Sequence, residues 1–479
     1  MIQSKKAIGF FVILGFLIFG YLTFTTKDIK PFSDFALLEW QIKLALQGTF
    51  HLEYPYLLAD PNLQFFPLPD IFFHVYNGLP YSTFPNFYPI LFSPFYAGFG
   101  IIGIKFTQFI LFFFSIYVFY LIKKDTIATI LLLFGSTISI YIFLIHETIL
   151  FFFLEIVILY LYHKKWATFS GFISMCLVWM RPEMIFSICF LPFCFPKEKN
   201  WKGFFLAFLI TGIVFSMVNQ ITLGTYIPLR MVKNSEFQFR PEISFYLFKI
   251  WIEQVPIFFI FILYLVFSFT KKEWSYRNLF LLVVTCFILL ISPNTGGHNT
   301  PRYLFGLVPL YVLSLRKKQE SESHITKTWF FICLFLAIYC FTVLFQQTKE
   351  LKKISQYQTN TLQEISKIKD KILIFNNSDF SFVVLPGFVA LPFSSSEKEL
   401  LLLRPNYENK TLIQILTIKK NESFTFLELP PSSIPLRPNE TVVFSNFYIT
   451  YYEGYRYQLP DALLPIHATE CLMHIYYNP

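Results

Sequence analysis

The feature that most restricts this chain is the recurrence of long apolar runs. They lie near residues 7–24, 102–122, 127–144, 148–162, 166–180, 184–196, 203–221, 250–268, 279–291, 303–315 and 328–345. The longest approach the roughly 20 residues that a helix needs to cross a bilayer core. Others are shorter, as suits a tilted, packed or half-embedded helix. The expected fold class is an α-helical polytopic membrane protein with about 11 transmembrane helices. Composition agrees. Of the 479 residues, 55% are hydrophobic and 14% charged, and the mean hydropathy is +0.52. A soluble domain carries roughly 25% charged residues. The first run is read as a retained anchor, because no small-residue cleavage site follows it.

The net charge of +9 does not point to nucleic acid, because Lys and Arg fall in small clusters between apolar runs. These are Lys5-Lys6, Lys123-Lys124, Lys164-Lys165, the Lys197/Lys199/Lys202 group, Lys271-Lys272 with Arg277, and Arg316-Lys317-Lys318. All lie on alternate connections, so one orientation satisfies the positive-inside rule for every cluster. That orientation puts the N-terminus in the cytoplasm. It puts segment 25–101, turns 145–147 and 181–183, loops 222–249 and 292–302, and the tail outside. A bacterial inner membrane is the expected location, taken ahead of the endoplasmic reticulum.

Residues 1–345 then form the transmembrane module, with 25–101 its first extracytoplasmic loop. Residues 346–479 change character, with sparser apolar runs and Pro/Ser punctuation. KILIFNNSD, FVVLPGFVALP, SFTFLELP and TVVFSNF look like strands, and NKTLIQILTIKK like a helix. The tail is expected to be a small extracytoplasmic α/β domain. Six of the seven cysteines lie in or beside apolar runs. No pair has metal-ligand spacing, which argues against a disulfide framework or a zinc site.

Behind the first run, FSDFALLEWQIKLALQG reads as an amphipathic helix in the interface plane. Phe35, Leu38, Ile42 and Ala45 recur at helical spacing, Glu39, Gln41, Lys43 and Gln47 face away, and Gly48 is a stop. Asp34 stands at or just before its first turn. One reading makes it an N-cap; the other makes it a functional acid. Other outer turns also carry charge near membrane depth: His146-Glu147, and Arg181-Pro182-Glu183. Such groups are expensive there unless they line a wet cavity. The plainer readings are a hydrated turn for the first pair, and mutual pairing or snorkelling for Arg181 and Glu183. The last outer loop, SPNTGGHNTPRYLFGLVPLY, offers His298, Asn299 and Arg302. Loop 222–249 adds Arg230, Lys233 and Arg240. Arginine is the natural partner of a phosphate. Glu39, Tyr81, Tyr88 and Asn299 are read as substrate-loop residues.

Taken in order and by side, these stretches resemble the GT-C superfold of membrane glycosyltransferases. The nearest branch contains the protein O-mannosyltransferases and the aminoarabinose transferases of lipid A. The resemblance rests on FSDFALLEWQIKLALQG, GLPYSTFPNFYPILFSPFYAGFG, HETILFFF, WMRPEMIF, VNQITLG and GHNTPRYLFGLVPLY, spread over residues 1–315. It implies that Asp34 takes the place of the family's first-loop catalytic acid. It implies that Arg302, with Arg230 or Arg240, faces the donor phosphate, and that Glu147 lies where related enzymes hold a second acid. Relatives often carry paired acids after the first span, whereas Asp34 stands between Ser33 and Phe35.

The expected function is transfer of a sugar from a polyprenyl-phosphate donor to an extracytoplasmic glycan, lipid or protein acceptor. Asp34 would be the general base of an inverting displacement. Arg302 would be the main phosphate clamp, with His298, Arg181, Arg230 and Arg240 as further candidates. No motif demands a cofactor, and a divalent cation stays open. A polytopic lipid or glycan transporter or flippase is the alternative. Against it stand charges that gather on one face rather than at mid-membrane. A non-enzymatic assembly scaffold is a third option.

Overall fold

The fold is taken from a computed structural model. It describes residues 2–29, 34–51, 54, 56–63, 66, 72–195, 200–233, 248, 251–271, 275–291, 302–315 and 327–367. It also describes strands at 372–375, 399–402, 424–427, 441–444, 447–451, 455–458, 467–470 and 473–477. Helix α1 (Ile2–Thr25) is followed by α2 (Asp34–Leu46), then a hairpin of β1 (Phe73–Tyr76) and β2 (Leu79–Ser82). The hairpin turns at Asn77-Gly78, both with positive φ (51° and 75°), the backbone of a tight turn that matches strand twist.

The helical body continues with α3 (Phe87–Lys123), α4 (Thr126–Phe134), α5 (Thr148–His163), α6 (Ala167–Met180), α7 (Ile185–Cys194) and α8 (Trp201–Leu223). A short α9 (Leu229–Lys233) precedes α10 (Pro256–Thr270), α11 (Tyr276–Ile291), α12 (Val308–Leu315) and α13 (Lys327–Lys367). Among the described residues, three helices are long and apolar enough to cross a membrane: 87–123, 201–223 and 328–349. Seven further apolar helices are shorter. Large apolar side chains such as Phe99, Ile221 and Phe269 stay exposed on these helices, the surface a bilayer would cover. One apolar cluster runs through the interior, tied by ring contacts such as Phe19–Phe112 at 5.8 Å.

Several expected spans are redrawn. The run 127–144 is not one helix: α4 stops at Phe134, and Ile138–Phe143 follows as a 3-10 turn. The cause is hydrogen bonding to another segment. Thr137 donates its backbone N–H to the Gln254 carbonyl (2.8 Å), and Ile257 donates to the Gly135 carbonyl (3.0 Å). These bonds satisfy polar groups that a continuing helix would have used. Asp125 caps the other end of α4, accepting from the N–H groups of Ile127 (2.9 Å) and Ala128 (3.2 Å). The run 303–315 opens as a 3-10 turn, Arg302–Leu307, before α12. Helix α3 bends at Gly100, whose φ of 62° and ψ of −148° are non-helical and open only to glycine without strain.

Helix α13 runs unbroken across residues 345–346, where the tail was expected to begin. Beyond it, β3 (Ile372–Phe375) pairs in parallel with β4 (Glu399–Leu402) and β5 (Phe424–Leu427). Strand β6 (Thr441–Phe444) pairs antiparallel with β7 (Phe447–Tyr451). Three of the four strand expectations thus coincide with strands. FVVLPGFVALP and the helix expected over NKTLIQILTIKK lie outside the described residues.

Candidate functional site

Helix α2 is the first correction at the site. It is not an amphipathic helix on a surface; it is buried on nearly all sides from Phe35 to Leu44. Two residues of its polar face bond to protein groups. Glu39, 9% exposed, accepts from Tyr96 Oη at 2.7 Å and pairs with Lys43 at 3.1 Å. Gln41 donates to the Phe84 carbonyl at 2.9 Å. The expected stop at Gly48 is present: its φ is +74°, and the Thr49 N–H returns to the Leu44 carbonyl (3.0 Å), a left-handed C-cap.

The centre of the site is Glu147, which directly precedes α5. Its Oε1 accepts from Arg230 Nη1 at 3.0 Å and pairs in charge with Arg181 Nη2, 3.1 Å away. Arg181 also donates Nη1 to Glu183 Oε1 at 3.0 Å. His146 Nε2 lies 3.7 Å from Glu147 Oε2, close enough for attraction but too far for a hydrogen bond. His146 Nδ1 accepts the Thr148 N–H at 3.2 Å and meets its hydroxyl at 2.7 Å. That leaves the ring proton on Nε2, toward the carboxylate. His146 and Glu147 are 0% and 1% exposed, so the hydrated-turn reading is overturned. The expected Arg181–Glu183 pair is real, but it is one arm of a larger cluster. The two arginines balance the two glutamates in charge, as burial at low dielectric demands.

Each arm has its own support. Arg181 is extended (φ −139°, ψ 89°) ahead of Pro182, as a residue before proline prefers. Its guanidinium lies 5.1 Å over the Phe151 ring. Arg230 lies 5.2 Å over the Phe84 ring, and such cation–aromatic contacts hold the guanidinium plane. The VNQITLG stretch sets Arg230's approach. Gly224 ends α8 with φ +70°, and Asn219 Nδ2 bonds the Thr225 and Ile227 carbonyls at 2.9 and 2.8 Å. His74 of the hairpin contacts the Leu223 carbonyl at 3.1 Å. On its far side Arg230 borders a groove of about 290 Å³, walled by Phe84, Asn86, Trp179, Phe215 and Asn219.

Two further elements end at this cluster. The ring of Phe35, next to Asp34, stands edge-on to His146 at 5.5 Å. Tyr141 lies 5.0 Å from His146 and 5.9 Å from Phe305, in the 3-10 turn that Arg302 opens. So Phe35 of α2 touches His146 directly, and Phe305 of the 302–307 turn reaches it through Tyr141. Asp34 is the first residue of α2; its side chain and that of Arg302 lie outside what is described. His298, Asn299 and Arg240 lie wholly outside the described residues. Tyr88 is buried and joins the site indirectly: its hydroxyl donates to Gln108 Oε1 at 3.1 Å. Tyr81 does not join it; its ring contacts His51 at 5.9 Å.

Sequence reasoning missed Gln108 and Glu155. Gln108 Nε2 reaches the carbonyls of Tyr141 (3.1 Å), Ile142 (3.3 Å) and Leu144 (2.6 Å), and so fixes the chain leading into His146. A glutamine inside a Phe-rich run was the available signal. Glu155 is 2% exposed in the middle of α5, which corrects the expectation that charge gathers on one face alone. Among the described residues no group of three or more His, Cys, Asp and Glu side chains is gathered to hold a metal ion.

No known family's sequence profile matches this chain, and no curated protein matches it. Among solved structures it is similar to the crystal structure of ArnT from Cupriavidus metallidurans bound to undecaprenyl phosphate. The TM-score is 0.48 and the identity 9%, over 87% of this chain and 89% of that one.

Proposed function

We propose that this chain is a membrane glycosyltransferase that moves a sugar from a polyprenyl-phosphate donor to an acceptor outside the cytoplasm. The observation that carries the proposal is the buried carboxylate of Glu147 held by Arg181 and Arg230, one of which borders an open groove. Guanidinium groups at a groove edge suit a phosphate leaving group, whose growing charge needs fixed cations. Three connections that the lysine pattern assigns to the outer side supply Glu147, Arg181 and Arg230, and their meeting supports that topology.

In this reading Asp34 takes the proton of the acceptor as it attacks the anomeric carbon, and the donor phosphate leaves toward Arg230, Arg181 and Arg302. One displacement inverts the sugar centre. Glu147 orients the arginines, and His146 orients Glu147. The acceptor is a glycan, lipid or protein, and the location a bacterial inner membrane with residues 346–479 outside. The test has two parts. A deletion strain should accumulate a polyprenyl-phosphate sugar in its lipid extract. Asp34→Asn should restore membrane insertion but not clear that lipid; clearance at the wild-type rate would end the base assignment.

A second reading, a lipid or glycan transporter, draws on Glu155, because intramembrane acids often mark transport pathways. It predicts that Glu155→Gln stops function while Asp34→Asn leaves it intact, the reverse of the enzyme's pattern.

A further inference from the structure

Arg181 and Arg230 contact the same oxygen of Glu147, at 3.1 and 3.0 Å. The two arms are unequal. The Arg181 side chain is 3% exposed and holds Glu183 as well. The Arg230 side chain is 12% exposed, sits on the five-residue α9 and borders the groove on its other side. The Phe84 ring lies under its guanidinium and also walls the groove. One guanidinium, resting on the Phe84 ring, thus both contacts the carboxylate and lines the groove.

We infer that Glu147 is an internal stand-in for the leaving phosphate: it holds Arg230 until the phosphate monoester released from the donor takes that arginine from it. The inference rests on the proposed donor reading. The monoester set free by transfer offers three acceptor oxygens and close to two charges, against two oxygens and one charge on the intact donor diester, so it is the product phosphate that competes best for the guanidinium. Glu147 stays held by Arg181 after the exchange, so no buried carboxylate is stranded. The exchange also explains why arginines suited to an anion are balanced in charge by carboxylates of the protein itself. A ligand that competes with an internal group binds more weakly than the same site without that group.

The experiment uses the full-length protein in detergent, with undecaprenyl phosphate as probe and inorganic phosphate as a second arm. Glu147→Asp draws the carboxylate back by one methylene and keeps a charge beside Arg181. It should bind undecaprenyl phosphate about tenfold more tightly, the scale of one released charge-assisted hydrogen bond. Glu147→Gln should do the same; Glu147→Asp serves if the amide variant does not fold. The gain should vanish in Glu147→Asp/Arg230→Gln, because the two changes act on one bond. Equal or weaker binding by a folded Glu147→Asp protein, with weaker binding by Arg230→Gln alone, overturns the exchange and leaves the donor site standing. No effect of Arg230→Gln on undecaprenyl phosphate overturns the donor site and the exchange together. A tenfold gain for inorganic phosphate with none for the lipid keeps the exchange and overturns the lipid donor.

Discussion

Arg230 and Glu147 stand 83 positions apart in the chain, yet Arg230 Nη1 lies 3.0 Å from Glu147 Oε1. Arg181 joins them from a third connection, at 3.1 Å. Arg181 is the more deeply buried of the two cations and pairs with both Glu147 and Glu183, so its removal takes a partner from two carboxylates at once. Breaking a buried pair from one side costs about 3–5 kcal/mol, whereas replacing both members by apolar groups costs far less. Arg181→Met should lower unfolding stability by that amount. Arg181→Met/Glu147→Leu should recover part of the loss. Thermal unfolding of the two variants in one detergent measures both.

Lys105 predicts a more local effect. It is 1% exposed inside α3 and donates to the carbonyls of Thr26 (2.5 Å) and Ile29 (3.2 Å). Those carbonyls lie just past the end of α1, on the way to Asp34. A cation is favoured at a helix C-terminus, where carbonyls lack helical partners. Lys105→Met should cost about 1.5–3 kcal/mol, the range for hydrogen bonds from charged groups. It should also slow sugar transfer, because the chain leading to Asp34 loses its tether. An unchanged unfolding midpoint would show that the tether carries no energy.

The positions of the helices were legible because bilayer length and hydropathy act on each segment by itself. The Gly48 stop has the same local origin. Long-range polar bonds decided what pattern alone could not. The run 127–144 is mostly apolar, and its break at Gly135-Ser136-Thr137 is fixed by bonds to residues 254 and 257 of another segment. Helix α2 has a proper amphipathic repeat, but Tyr96, Phe84 and Asn86 supply the partners that water would have supplied. At the site, Glu147, Arg181, Arg230 and His146 were legible as expensive charges in outer turns. That they form one cluster was not, because four helices separate Arg230 from Glu147 along the chain. Gln108 stood out only as a glutamine inside a Phe-rich run; its partners are backbone carbonyls, which no side-chain pattern marks.

Gln108 gives a third prediction. Its amide reaches three carbonyls in the 141–144 segment, and its own oxygen receives Tyr88. Gln108→Leu keeps the bulk but strands that donor and the carbonyls. A buried group left unsatisfied costs about 1–3 kcal/mol. Tyr88→Phe removes one neutral bond and should cost only about 0.5–1.5 kcal/mol. In the Gln108→Leu protein His146 should lose its fixed position, so transfer should fall more than the Tyr88→Phe protein's does. Equal losses in both variants would mean that the 141–144 segment is held by packing alone.

The crossing of α6 and α8 tests how remote packing reaches the site. Gly171 on α6 faces α8 so closely that a Cβ there would overlap the Phe204 carbonyl. Small residues allow such close backbone approach between membrane helices. Gly171→Leu must push α8 away, and forced overpacking costs about 1–3 kcal/mol. The displaced helix carries Asn219 and, through the loop it braces, Arg230. Undecaprenyl phosphate binding should therefore weaken along with stability. Gly98→Leu is the control, since nothing lies within 4 Å of a Cβ built there. It should leave both quantities near wild type. If Gly171→Leu destabilised the protein without weakening lipid binding, α8 would not be the element that positions Arg230.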